Sequence, residues 1–127
     1  MRVKLVRHAT LLVNLAGDNY LVDPMLSPAA AWDAVRNSAN PRRNPMVDLP
    51  VNEDELDLLL RGLSGVFVTH THADHWDQPA QERLAKDLPV FCQPHDAGAI
   101  REAGFTETIP VDSRAEWDGL QIELTGG

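Results

Sequence analysis

Apolar residues fall into short blocks of two periods along this chain, and each change of period marks an element. Residues 3–7 alternate apolar and polar side chains, and residues 10–15 are rich in β-formers, the pattern of two half-buried strands. Gly17-Asp18-Asn19 supplies turn chemistry before the apolar Tyr20-Leu21-Val22, so a strand meander is predicted over the first 22 residues. At Asn52 the period lengthens. Leu56, Leu59, Leu60 and Leu63 form a helical stripe, with Asn52 and Glu55 spaced as a capping box and Gly62 or Gly65 available to end the helix. Glu53, Asp54 and Glu55 sit at the positive end of that helix dipole, so this acidic run reads as a helix start and not a metal site. Val66-Phe67-Val68 follows as a short buried strand. Asp77 can cap a helix running through Leu84 to Lys86, with Pro79 tolerated in its first turn. A strand over 89–92, a helix over 95–103 closed by Gly104, and strands within 105–111 and 120–124 around Asp118-Gly119 complete the pattern. Strands alternating with helices indicate an α/β domain spanning residues 1–127.

The N-terminus needs a second reading. Arg2, Lys4 and Arg7 stand before an apolar run over 9–16 in the manner of a signal peptide. His8 and Asn14 interrupt that run and no small-x-small site follows, so the strands are the better account. Residues 24–50 carry Pro24, Pro28, Pro41, Pro45 and Pro50 and little periodicity apart from a short helix expected around 29–35. A loop of this length is either a flap facing substrate or a plain covering segment.

Composition narrows the partners. Eleven basic residues against nineteen acidic ones give a formal net charge of −8, which disfavours nucleic acid. No apolar stretch reaches the roughly 20 residues of a membrane span. The single Cys92 has no partner for an internal disulfide, which fits a reducing compartment, the cytoplasm.

Chemistry concentrates in Thr69-His70-Thr71-His72-Ala73-Asp74-His75-Trp76-Asp77, where three of five histidines fall within six residues directly after a buried strand. His70 and His72 leave an extended segment from the same face, and a turn brings Asp74 and His75 toward them. Imidazole and carboxylate suit zinc and other borderline divalent metals, whereas a packed core does not gather three imidazoles without partners.

His70, His72, Asp74 and His75 match completely the His-x-His-x-Asp-His signature of the metallo-β-lactamase superfamily, which this segment resembles. His8-Ala9-Thr10 and Leu21-Val22-Asp23-Pro24 look like the N-terminal meander of its branch of metal-dependent hydrolases similar to ascorbate-6-phosphate lactonase. The resemblance implies a four-layer αββα sandwich of two similar halves. It implies that His70 and His72 bind one divalent metal and Asp74 and His75 a second, zinc first among the candidates, with manganese or iron also suited. It further implies a metal-activated hydroxide attacking a small ester, lactone or phosphoester, with Asp74 orienting the nucleophile or taking up a proton. A nuclease of the same superfamily is the other enzymatic reading.

The family pattern also requires a histidine, an aspartate and a last histidine downstream, and after His75 only His95 follows. The chain is therefore expected to supply the first half of the sandwich and to be inactive alone. The missing ligands would come from a C-terminal half or a partner chain. A non-catalytic module that covers its sheet in a homo-oligomer is the alternative.

Secondary candidates remain open at this stage. His8 either faces substrate near the metals or is a hydrogen-bonded strand-end histidine. Asp23 either orients a ligating histidine from behind or is a turn residue before Pro24. His95 is expected at the surface. Trp76 either walls the site or packs on the Leu84 helix, and Arg42 and Arg43 either meet an anionic substrate or are solvated.

Overall fold

The computed structural model describes residues 1–125. The meander forms first: β1 (Arg2–Arg7), β2 (Thr10–Leu15) and β3 (Asp18–Val22) pair antiparallel, with Val3 opposite Val13 and Val13 opposite Tyr20. The β2–β3 turn is Ala16-Gly17, both at positive φ, one position earlier than the turn chemistry suggested, and Asp18 and Asn19 open β3. Gly17, at φ 106, supplies the left-handed geometry that a two-residue hairpin of this twist requires.

From β3 onward the sheet is parallel. Strands β4 (Gly65–Val68), β5 (Val90–Cys92) and β6 (Thr108–Pro110) complete a six-stranded sheet in sequential order β1-β2-β3-β4-β5-β6. The crossovers hold α1 (Glu53–Arg61), α2 (Gln78–Arg83) and α3 (Ala97–Glu102). A second, two-stranded sheet pairs β7 (Arg114–Trp117) with β8 (Leu120–Glu123) around Asp118-Gly119. The mixed α/β architecture with a central sheet is the one expected from the sequence.

Strand alternation divides the apolar residues between two faces. Leu21, Val66, Val68, Val90 and Cys92 turn to one side and pack with Leu56, Leu60, Ala80 and Ile100 from the three helices. Trp76 is in this core, 4% exposed and 5.3 Å from the Phe105 ring, so it packs beside Leu84 and does not wall the site. On the other side Tyr20, Phe91 and Phe67 meet Trp117, Leu120 and Ile122 of the β7–β8 hairpin. The hairpin covers that face only in part, and Val3 and Leu5 of the edge strand stay 52% and 63% exposed.

Helix α1 begins as expected, with the Asn52 side chain accepting from the Glu55 N–H and Glu55 accepting from the Asn52 N–H. Gly62 caps its end. Helix α2 stops at Arg83, short of Lys86, because Leu84 turns extended and inserts into the core while the Lys86 carbonyl accepts the Thr106 N–H. Helix α3 starts at Ala97, later than expected, since the Asp96 carboxylate makes no cap bond and turns instead to Thr71.

The helix expected around 29–35 does not form. The N–H groups of Ala30 and Trp32 are spent across the loop, on the carbonyls of Pro45 and Asn44 at 2.8 and 2.9 Å, and Ala30 stands at φ 58. Trp32 and Asn44 exchange both backbone bonds as an isolated bridge. Residues 24–50 are thus a folded-back arm. Buried Arg7 anchors it by donating Nε and Nη2 to the Met25 carbonyl, Nη1 to the Val47 carbonyl at 3.0 Å and Nη2 to the Ser27 carbonyl.

Candidate metal centre

The histidine segment leaves the C-terminal end of β4, where the parallel sheet leaves open the crevice in which such folds bind ligands. Buried Asp23, at the matching end of β3, organises it. Its Oδ1 accepts the Thr69 N–H at 2.7 Å and its Oδ2 accepts the Thr69 hydroxyl at 2.8 Å. The same Oδ2 lies 2.8 Å from Nδ1 of His75, which therefore carries its proton there and turns Nε2 outward. The Thr69 hydroxyl donates to Asp23 and so acts as an acceptor toward Nδ1 of His70 at 3.1 Å, which leaves Nε2 of His70 free.

His70, Asp74 and His75 each offer a ligand atom, and these atoms all lie within 4.8 Å of one another. The His70 and His75 rings stand 3.9 Å apart between centroids, and Asp74 Oδ2 is 3.6 Å from His75 Nε2. Two imidazoles and an exposed carboxylate with ligand atoms this close together suit a borderline divalent cation. His72 is exposed, its ring 4.7 Å from His70 and edge-on to it, and it lies outside that closest set. The arrangement groups His70 with Asp74 and His75 more tightly than with His72.

His8, at φ 47 in the β1–β2 turn, accepts the Met46 N–H on Nε2 at 3.0 Å and ties the arm to the turn. Asp23 itself stands at φ 45, a strained conformation located directly behind the donor cluster. His95 is exposed, 3.5 Å from Asp96 Oδ2, and is not one of the grouped donors. Arg43 pairs with Asp33 at 2.5 Å on the exposed side of the arm.

Gln93 and Asp96 were not singled out from the sequence. Gln93 Nε2 donates to the Thr69 carbonyl at 2.6 Å, and Asp96 Oδ1 accepts the Thr71 hydroxyl at 2.8 Å. Both follow β5, which lies in register with β4 through Val68 and Cys92. The signal was the alignment of the two apolar triplets, which sets the residue after one strand beside the residue after the other.

Two cavities adjoin the centre. One of about 460 Å³ lies between the ends of β4, β5 and β8 on the apolar face and reaches the centre only at His70. The other, about 170 Å³, is bounded by the β1–β2 turn, the arm, and Asp74 and His75.

No family model matches the chain. The chain is 31% identical to the UPF0173 protein YddR of Bacillus subtilis over 132 aligned positions, which take in 100% of this chain and 50% of that protein. A possible metal-dependent hydrolase from Veillonella parvula superposes with a TM-score of 0.88 at 33% identity, over 95% of this chain and 46% of that one. The isothiocyanate hydrolase from Delia radicum gut bacteria superposes with a TM-score of 0.81 at 40% identity, over 93% and 44%. The chain spans about half the length of these relatives. The fold is that of about half of these metal-dependent hydrolase structures. The complete His70-x-His72-x-Asp74-His75 signature and these likenesses are consistent with the metallo-β-lactamase superfamily.

Proposed function

We propose that this chain carries the first part of the active site of a metal-dependent hydrolase acting on a small ester, lactone or phosphoester. The convergence of His70, Asp74 and His75, with Asp23 fixing the ring of His75, carries the reading. Two divalent ions, zinc foremost, are the proposed cofactors, held by His70 and His72 and by Asp74 and His75. When bound, such ions supply hydroxide near neutral pH and polarise the bond under attack. Asp23 and Thr69 hold the imidazoles of His75 and His70 with Nε2 forward, and Asp74 is the exposed carboxylate placed to orient the nucleophile or accept its proton.

The 40% identical isothiocyanate hydrolase adds a related electrophile, a heterocumulene carbon open to the same attack. Nucleic acid is the weaker alternative, since the net charge is −8 and Arg43 is already paired. The remaining ligands are proposed to come from a second half, on a continuation of the chain or on a partner, seated on the sheet face that exposes Val3 and Leu5.

The test is metal content and hydrolysis of the protein completed by its second half, for wild type, His72→Ala and Asp74→Asn. Loss of metal from His72→Ala and loss of rate from Asp74→Asn are expected. Unchanged metal load and rate in both would overturn the assignment.

A further inference from the structure

The segment after β5 buries a carboxylate that serves no local structure. Asp96 is 6% exposed, and its Oδ2 has no hydrogen-bond partner among the described residues. His95 Nε2 lies 3.5 Å from that oxygen on a largely exposed ring and does not satisfy it. Asp96 stands at the N-cap of α3, where a short carboxylate ordinarily accepts a free N–H of the first turn, yet it makes no such bond. Buried polar atoms without partners are uncommon in folded chains, and each needs a reason.

The bond that the carboxylate does make supplies one. Oδ1 accepts the Thr71 hydroxyl at 2.8 Å, and Thr71 lies between His70 and His72. The other anchors act elsewhere on the segment. Gln93 donates to the Thr69 carbonyl, and Asp23 accepts from the N–H and hydroxyl of Thr69. His70 is held at Nδ1 by Thr69 and His75 at Nδ1 by Asp23, whereas the exposed ring of His72 is tied to neither. That ring stands edge-on to His70, 4.7 Å away between centroids. Its position follows the backbone between residues 70 and 72, and Asp96 is the buried side chain that fixes this stretch through Thr71.

We propose that Asp96 is a positioning residue for His72, its bond to Thr71 keeping the His72 imidazole beside that of His70 so that the two rings are presented together. The inference rests on the proposed hydrolase reading for the identity of the cation the rings receive, while the positioning itself belongs to the metal-free chain. Two buried carboxylates then hold the segment from both flanks of β4. Asp23 after β3 serves His70 and His75, and Asp96 after β5 serves His72.

The experiment compares wild type, Asp96→Ala, Asp96→Asn, Thr71→Val and Thr71→Ser in the protein completed by its second half, stripped of metal and isotope-labelled at the histidine rings. Cross-relaxation between ring protons reads the His70–His72 contact and, as an internal control, the His70–His75 contact at 3.9 Å between centroids. Asp96→Ala and Thr71→Val are expected to lose the first contact and keep the second. Asp96→Asn and Thr71→Ser, which retain the acceptor and the donor, should keep both. The double variant Asp96→Ala/Thr71→Val should be no worse than either single one. Should Asp96→Ala fail to fold, Thr71→Val against Thr71→Ser decides the same question. An unchanged His70–His72 contact in the variants that break the bond, or loss of both contacts together, would overturn the inference. Chelator competition on the same completed protein should show one ion bound about 10- to 100-fold more weakly in Asp96→Ala and unaltered in Asp96→Asn. Unaltered affinity in Asp96→Ala would overturn the inference as well. A wild type that takes up no metal would defeat the hydrolase reading, while the ring contacts still decide the role of Asp96. Normal uptake by wild type with unchanged ring contacts in the variants would keep the hydrolase reading and overturn the positioning of His72.

Discussion

The Asp23 carboxylate stands 2.8 Å from Nδ1 of His75, across 52 residues of sequence. It also accepts both the N–H and the hydroxyl of Thr69, so one buried side chain sets the origin of the histidine segment and the orientation of its last ring. Strand pairing makes this possible. Val22 lies beside Phe67 in the parallel β3–β4 pair, which brings the residues following each strand together.

Asp23→Asn is expected to leave the fold intact and weaken metal binding about 10- to 100-fold, the usual effect of losing such a supporting carboxylate. Asn tolerates the φ of 45 at this position, so the backbone is preserved. One Asp23 oxygen would become an NH2 facing a donor, either Thr69 N–H or His75 Nδ1–H. Competition titration with a chromogenic chelator measures the affinity, and circular dichroism checks the fold. Wild-type affinity in Asp23→Asn would show that Asp23 does not orient a ligand.

Asp77 caps α2 by accepting the Ala80 N–H on Oδ1 at 2.9 Å, and its Oδ2 accepts the N–H and hydroxyl of Ser27. Both oxygens face donors, so Asp77→Asn forces one donor against another in a site only 2% exposed. A loss of about 1–3 kcal/mol in urea unfolding is expected. Asp57→Asn, which removes an exposed partner of Arg83, should cost less than about 1 kcal/mol. A reversed order of the two variants would contradict this account of the α2 start.

What the sequence disclosed and what it withheld divide by the distance over which the signal acts. The capping box at Asn52 and the Asp77 cap are local, and both are legible because donor and acceptor lie three residues apart. The His-x-His-x-Asp-His segment is equally local, and so was visible as a set. The arm over 24–50 departs from the helix expected around 29–35 because its structure depends on partners far along the chain, such as Pro45 for Ala30 and Arg7 for Met25. Asp96 illustrates the same limit. Nothing local marks it, and in the fold its carboxylate accepts the Thr71 hydroxyl, 25 positions away.

Arg7 is 3% exposed and its hydrogen bonds run to backbone carbonyls of Met25, Ser27 and Val47. Burial lowers its pKa, with Asp77 and Asp48 acting in the opposite direction, yet the guanidinium remains charged at any ordinary pH. Its planar fork reaches both arms of the loop at once, which an ammonium cannot do. Arg7→Lys is expected to destabilise the chain by about 2–4 kcal/mol, since carbonyls are left unpaired beside a compact charge. Hydrogen exchange should show faster opening of the Trp32 and Asn44 amides in that variant. Unchanged exchange there would mean that the arm is held by its own bridge alone.

Cys92 lies in β5, 4% exposed, and burial pushes its thiol up to about 11 from an ordinary value of 9.0, with Asp96 adding to the rise and Arg101 opposing it. A thiol held protonated in the native state is a poor nucleophile, so a thiol reagent at pH 8 should modify the folded chain far more slowly than the urea-unfolded one. The stability consequence follows from linkage. A folded pKa raised above the unfolded one leaves stability intact below pH 9.0 and removes it as pH rises toward about 11, because only the unfolded chain releases the proton easily. The urea midpoint of the wild type should therefore fall across that window. Tyr20, itself raised by burial and by Asp18 and Asp118, titrates nearby, so the Cys92 share is the part of the fall that Cys92→Ala lacks. Equal slopes for wild type and Cys92→Ala, or rapid native labelling at pH 8, would show that the thiol is reached by solvent.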